Sequence, residues 1–327
     1  MNIYAKLFRK TTADAPFNDP TDSVDLVIRT ADNVDFFVLS ALLSLRSPSS
    51  FFRQVLQGNK HTEERDGFPV LEVKENSDIL RTILLFCYPY ATPEIKSVKQ
   101  ILELGMALDK YCMDHAMERF IAAVLASSVI SEQPLRVFAL AVANEWKEMG
   151  EAAARKTLAI PGPLNRAISD VEELSEISAR HLYRLQDYHM RCGKAAQIQA
   201  GTVAPLPWLD GKSSGLLFLR NNHNAYGCRW CNNVVQIVAS TKHANFYGHP
   251  WLNDTYFPLV NAKVLSEPLP QVALDDRIVD QAVLASTKQC GRDQWAEIAD
   301  SQIRLFGKIV AEEIERRISE VPLDIEW

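Results

Sequence analysis

The chain has 327 residues, 47 % of them hydrophobic and 23 % charged, with a formal net charge of −6 and a pI near 5.7. That length exceeds one ordinary core and points to two domains. The acidic balance offers no field to attract phosphate backbones and argues against nucleic acid as the main partner, and no apolar run approaches the ~20 residues that a bilayer span requires.

Residues 1–22 carry Thr, Ala, Asp, Asn and Pro with little periodicity and read as a flexible N-terminal arm. The opening MNIYAKLFRK lacks the apolar stretch of a secretory signal. Asp25-Leu26-Val27-Ile28-Arg29-Thr30 reads as a strand, Ala31-Asp32-Asn33 as a turn, and Val34-Asp35-Phe36-Phe37-Val38 as the returning strand. Ser40 caps a short helix, and Ser47-Pro48 opens another that runs to about Gln57. Gly58 to Gly67 is polar and reads as a loop, and Phe68 to Val73 as a third strand. Asn76-Ser77-Asp78 opens a helix that ends near Cys87, before Pro89 and Pro93. Helical spacing then returns over Ser97–Lys110 and Met113–Ser127. Three strands are too few for a doubly wound sheet, so helices must cover one small mixed sheet.

The chain beyond Ser131 reads as helical. Ser131-Glu132-Gln133-Pro134 is a start signal, Glu151–Leu158 is alanine-rich, and Ile160-Pro161-Gly162-Pro163 is a stop. Helices follow over Ser169–Ile177 and from Ser178 to about Ala200, the latter with Leu182, Leu185, His189, Cys192 and Ala196 along one stripe. From Gly201 to Pro270 the periodicity fades into an irregular, aromatic-rich segment. A long amphipathic helix from about Asp293 to Glu320 closes the chain, with Ala299, Ile303, Phe306, Val310 and Ile314 on its apolar side.

Asp25 to Leu125 resembles a BTB/POZ domain. The resemblance is carried by Asp25-Leu26-Val27-Ile28, Val34-Asp35-Phe36, Leu42-Leu43-Ser44-Leu45-Arg46-Ser47-Pro48, Phe51-Phe52, Pro69-Val70-Leu71-Glu72-Val73 and Ile83-Leu84-Leu85-Phe86-Cys87-Tyr88-Pro89. The fungal type of this domain is similar in its Cys87-Tyr88-Pro89. It is also similar in the Leu135–Leu140 piece, in Asp187-Tyr188-His189-Met190-Arg191-Cys192-Gly193 and in the acidic helix Ile309–Glu320. The helical stretch after Ser131 takes the place of the extension called BACK in other BTB proteins. The chain departs from animal members in having Leu39 or Ser40 where they carry a histidine, and it has no hydrophobic-x-glutamate element of the kind linked to cullin binding.

The resemblance implies a protein-protein interaction adaptor, not an enzyme, that self-associates as an isologous homodimer and binds a further, unidentified protein. It places the contact residues in the first hairpin and first helix: Asp25, Leu26, Phe36, Val38, Leu42 and Leu43. The expected fold class is α+β, a BTB/POZ-like domain over 23–128, then a BACK-like helical region over 129–200 and the irregular segment with its closing helix over 201–327. A substrate adaptor of a cullin-type ubiquitin ligase is one alternative, and a zinc-stabilised nuclear regulatory protein is another.

The zinc alternative rests on Cys228 and Cys231, whose spacing suits one tetrahedral Zn2+. Cys192 and His189, three apart on one helical face, could complete the set, and Cys290, His223, His243 and His249 are also present. No second cysteine pair follows at zinc-ribbon spacing, so the expectation is no cofactor, with aromatic packing of Trp208, Trp230, Phe246, Tyr247 and Trp251 ordering the segment. The six cysteines, Cys87 and Cys112 included, are few and scattered, which suits a reducing compartment, cytoplasmic or nuclear. Catalytic signatures are missing: there is no Gly-x-Ser-x-Gly, no Walker loop and no Gly-x-Gly-x-x-Gly.

Overall fold

A computed structural model describes residues 10–43, 51–52, 63–160, 171–198, 206–209, 212, 215–218, 235–238, 246–248 and 250–327. The expected helix from Pro48 to Gln57, apart from Phe51 and Phe52, and the Cys228–Cys231 pair lie outside the described residues, as do His223, His243 and His249. The chain divides into two compact units. The first runs to Ala153 and includes Glu172–Glu176 and Trp327; the second comprises Ala154–Val171 and Ile177–Glu326.

The first unit is built on a mixed five-stranded sheet of order β1-β3-β2-β5-β4. The strands are β1 (Thr11–Thr12), β2 (Leu26–Arg29), β3 (Val34–Val38), β4 (Glu64–Arg65) and β5 (Phe68–Glu72). The hairpin β2–β3 is antiparallel, with Leu26 opposite Val38 and Arg29 opposite Asp35. β5 lies parallel to β2, and β1 parallel to β3. Every residue of β2 is buried, as a central strand covered on both faces requires. The pleat sends Val27, Phe37 and Val70 to one face, with Val24 and Phe68 packed against them.

Two expectations fail here. Residues 10–22 are not a loose arm: Thr11 and Thr12 form an edge strand, and Phe17 is buried among Phe36, Tyr88 and Tyr90. A single large aromatic residue suffices to dock a segment whose average composition is polar. The end of the expected polar loop Gly58–Gly67 is half of a hairpin, β4–β5, turned by Asp66 and Gly67 at φ 56° and 85°. Aspartate-glycine is the residue pair that a two-residue hairpin turn favours, because both positions need positive φ.

Helices α1 (Ser40–Leu43), α2 (Ser77–Cys87), α3 (Val98–Lys110), α4 (Asp114–Ala126), α5 (Val129–Glu132) and α6 (Pro134–Ala143) follow in the first unit. Asn76 and Ser97 cap α2 and α3, accepting from the N–H groups of Ile79 and Gln100. α7 (Lys147–Thr157) carries the chain from the first unit into the second. The first compact unit therefore extends beyond residue 128, to Ala153. The reason is Trp146, which is buried against Phe120 and donates from its indole nitrogen to Asp109 at 2.7 Å.

The second unit contains α8 (Ala179–Ala196), a short pair β6 (Val235–Val238) and β7 (Phe246–Gly248), α9 (Phe257–Val264), α10 (Asp276–Cys290), α11 (Asp293–Ala296) and α12 (Ala299–Ser319). The apolar stripe of α12, Ala299, Ile303, Phe306, Val310 and Ile314, is buried as its spacing predicts. Phe306 is the hub: its ring lies 5.6 to 5.8 Å from those of Tyr256, Phe257 and Phe218. Of the aromatic residues expected to order the irregular segment, Trp251 is fully buried beside Phe218 and Trp208 lies near Phe306. A Cβ at Gly307 would come within 2.7 Å of the Ala273 carbonyl oxygen, so glycine lets the Pro270–Leu274 turn lie directly on α12.

The irregular segment yields the helix α9, and α10 lies in a stretch to which the sequence assigns no element. The expected single helix from Asp293 to Glu320 is broken between Ala296 and Ala299, where the buried Trp295 donates to Ser286 at 3.1 Å. No helix among the described residues is long and apolar enough to cross a membrane.

Truncating Phe17 tests whether the N-terminal segment belongs to the fold. Phe17→Ala should destabilise the first unit by about 3–5 kcal/mol, the usual range for a buried phenylalanine. Urea unfolding measures it. A loss indistinguishable from that of an exposed substitution would return the segment to the status of an arm.

Candidate protein-interaction surface

The first hairpin carries the residues that the resemblance marks for contact. Asp25 is exposed, and its carboxylate accepts from the Ser40 N–H at 2.6 Å and the Ser40 hydroxyl at 2.7 Å. It thereby ties the entry of β2 to the start of α1. Leu42 is half-buried. Leu26, Phe36, Val38 and Leu43 are at most 2 % exposed, so the first unit has already removed their area from water. In the single chain, then, Asp25 and Leu42 offer surface and the other four form its backing. The pleat accounts for this: Leu26, Phe36 and Val38 share the face on which Phe17 packs.

A charged network that the sequence reading did not assemble spans the sheet. Arg29 donates to Asp35 through Nε at 2.6 Å and Nη2 at 2.9 Å, a two-pronged pair with both side chains buried. Arg65 donates to the same carboxylate and, through Nη2, to the Thr12 hydroxyl at 2.8 Å. Glu63 accepts from Arg29 at 2.8 Å and Lys10 at 2.5 Å. The Arg65 guanidinium also lies 5.6 Å from the centre of the Phe37 ring. Three strands thus meet at one carboxylate, and β1 and the residue before β4 join the network through Arg65 and Arg29. The signal was present in the hairpin register, which sets Arg29 directly opposite Asp35.

Burial pushes the Asp35 carboxyl up, but the hydrogen bonds and charges of Arg29 and Arg65 outweigh it and hold the group below the usual carboxylate range. The hydrogen bonds from Lys10 and Arg29 pull Glu63 down to about 2.

On α3, Met106 is 54 % exposed. It forms the apolar part of a groove of about 400 Å³ with Ile79, beside Lys74, Glu75, Asn76 and Lys110. Glu75 accepts from Lys110 at 2.7 Å and from the Tyr111 hydroxyl, which fixes the charged rim of the groove. An exposed methionine with a polar border suits protein contact, since its flexible side chain adapts to varied surfaces.

In the second unit the structure places the two described members of the zinc set. Cys192 is fully buried as a free thiol, with burial pushing it up to about 11. His189 lies against Thr157, with Nε2 2.7 Å from the hydroxyl oxygen. That hydroxyl donates to the Ala154 carbonyl at 2.5 Å, so it must accept from His189, and Nε2 carries the hydrogen. Burial pushes His189 down to about 4. Among the described residues, no three His, Cys, Asp or Glu side chains are placed to hold one metal ion.

These groups give the two units different pH windows. Asp35 and Glu63 have lowered folded values, so their stabilisation is full above the ordinary carboxylate value of about 4 and is lost as pH falls through the folded value. His189 acts earlier: below about 6.5 the unfolded chain binds a proton that the folded site refuses, so stability falls from there toward pH 4. Hydrogen exchange at pH 7 and 5 should show the second unit loosening first. His189→Gln, which retains a donor for Thr157, should flatten that slope. A slope unchanged by the substitution would assign it to other groups.

Residues 16–125 match the family model of the BTB/POZ domain. The match takes in Phe17 and all of the sheet from β2 to β5, together with α2, α3 and most of α4. No curated protein matches the chain. The mixed sheet, its covering helices and the matched span agree: the first unit carries a BTB/POZ domain, a protein-interaction module, and a helical region follows it.

Proposed function

We propose that the chain is an adaptor that self-associates through its BTB/POZ domain and holds a partner protein on another face. The observation that carries this reading is the coincidence of the family match over 16–125 with a folded, buried first hairpin. In an isologous pair, one patch meets its own copy. Asp25 and Leu42 would lie at that patch, with Leu26, Phe36, Val38 and Leu43 as its rigid support. The groove around Met106 is the favoured partner face, because it joins an exposed apolar side chain to a charged rim. The helices after Ser131 would act as a BACK-like extension, and Cys87-Tyr88-Pro89 with the Leu135–Leu140 piece favours the fungal type of the domain.

Sedimentation velocity on the full chain tests self-association. The expected result is a dimer forming at about micromolar concentration, where the association energy is of order −8 kcal/mol. Leu42→Glu should shift it to monomer and melt at about the temperature of the native chain diluted below its dimerisation range, since Leu42 is only half-buried. A native chain that remains monomeric to about fifty times that concentration would remove self-association from the reading.

A further inference from the structure

Helix α8 gathers cations on one side. Arg180, Arg184, Arg191 and Lys194 are spaced four, seven and three residues apart, which returns each to the same face, with Asp187 among them. Asp187 accepts from Arg191 Nε at 2.8 Å, so it offsets one cation of the four.

The segment after α12 lies against this face. Val321, Leu323 and Ile325 are half-buried, while Pro322, Asp324 and Glu326 are exposed. The chain makes a tight turn at Asp324, where the Ile325 N–H donates to the Leu323 carbonyl at 3.0 Å, and among the described residues the segment pairs with no strand. Glu326 pairs with Arg180 at 2.8 Å. Arg191 Nη2 stands 3.0 Å from Asp324 as an ion pair without hydrogen-bond geometry.

Both ion pairs are weak. Arg180 and Glu326 are 62 % and 78 % exposed, and Asp324 is 51 % exposed, so water competes with each pair. Beneath them, Arg180, His181 and Arg184 line a cavity of about 250 Å³ together with Asp324, Ile325 and Glu326. Arg184 has no ion pair among the described residues. His181 Nδ1 is buried there without a hydrogen-bond partner. The groove therefore offers a cation and a ring nitrogen that the seated segment does not use.

We propose that the α8 groove is a docking site for a short acidic peptide of a partner protein, and that Asp324-Ile325-Glu326 fills it as a displaceable internal ligand. The chemistry that fits is a carboxylate, an apolar residue and a second carboxylate at successive positions of a backbone turned at the first of them. The two carboxylates meet Arg180 and Arg191, the apolar side chain enters between them, and Arg184 gives an incoming peptide a contact that the internal segment lacks. A main-chain N–H of the peptide can donate to His181 Nδ1. The site lies wholly in the second unit and does not depend on self-association of the BTB/POZ domain.

The test uses the full chain and a fluorescent peptide copying residues 321–326, followed by anisotropy. The chain is opened by Asp324→Asn with Glu326→Gln, neutral replacements of the same shape at exposed positions. The opened chain should bind the peptide at least about tenfold more tightly than the native chain, as one decade corresponds to about 1.4 kcal/mol. Adding Arg180→Glu and Arg184→Glu should abolish binding. Arg180 lies in the first turn of α8, where the helix dipole favours acids, and circular dichroism of the variant should show the helical content retained. Arg184→Gln alone in the opened chain gives a milder check and should weaken binding several-fold. Equal binding by native and opened chains, no binding by the opened chain, or binding indifferent to the arginine replacements would overturn the proposal.

Discussion

Asp35 has no solvent exposure and sits between two guanidinium groups. A carboxylate in that position is tolerable only while both partners remain in place, because an uncompensated buried charge is among the most costly defects a fold can carry. Arg29 reaches it from β2 and Arg65 from β4, and Arg65 also holds Thr12 of β1. Three strands of the sheet β1-β3-β2-β5-β4 therefore meet at one anion, and Arg65 links β1 to it. A slip of one residue in the β2–β3 register would send Arg29 and Asp35 to opposite faces. The pair therefore fixes register as well as contributing to stability, and the apolar residues on both faces of β2 inherit their positions from it.

The second unit uses the same device on a smaller scale. Glu313 is buried on α12 and accepts from Arg316 at 2.8 Å and Arg317 at 2.6 Å, while Arg317 also donates to the Gln197 carbonyl. Around it the packing is aromatic and aliphatic, centred on Phe306. In both units the interior is committed to structure. What is left for recognition lies at the surface: Asp25 and Leu42 beside the first hairpin, Met106 on α3 and the cationic face of α8. This distribution suits a protein whose chemistry is contact.

Much of the fold was legible because its elements carry local signals. Asn76, Ser97 and Ser178 are side-chain caps that the sequence announces, and the stripe from Ala299 to Ile314 reads directly as a buried helix face. The failures have a common cause. Phe17, Arg65 and Trp146 act through partners far away in the chain, at Phe36, Asp35 and Asp109, and no window of local periodicity contains such pairs. Helix α10 escaped notice because its buried residues, Ile278, Val279, Ala282 and Ser286, are diluted by Asp, Arg, Gln and Lys. Of the six contact residues named from the resemblance, four are buried within the single chain. Alternation shows which residues share a face, but not whether that face meets a helix of the same chain or a second molecule.

Replacing one charge at the centre of the sheet tests the account most directly. Asp35→Asn keeps the shape of the side chain and leaves the buried Arg29 with only the partly exposed Glu63 as a counter-charge. Equilibrium unfolding in urea, with hydrogen exchange followed over the strands, should show a loss of about 3–5 kcal/mol and loss of amide protection from Thr11 to Glu72. A loss within about 1 kcal/mol, the scale of an exposed ion pair, with strand protection intact, would mean that the sheet does not depend on this junction.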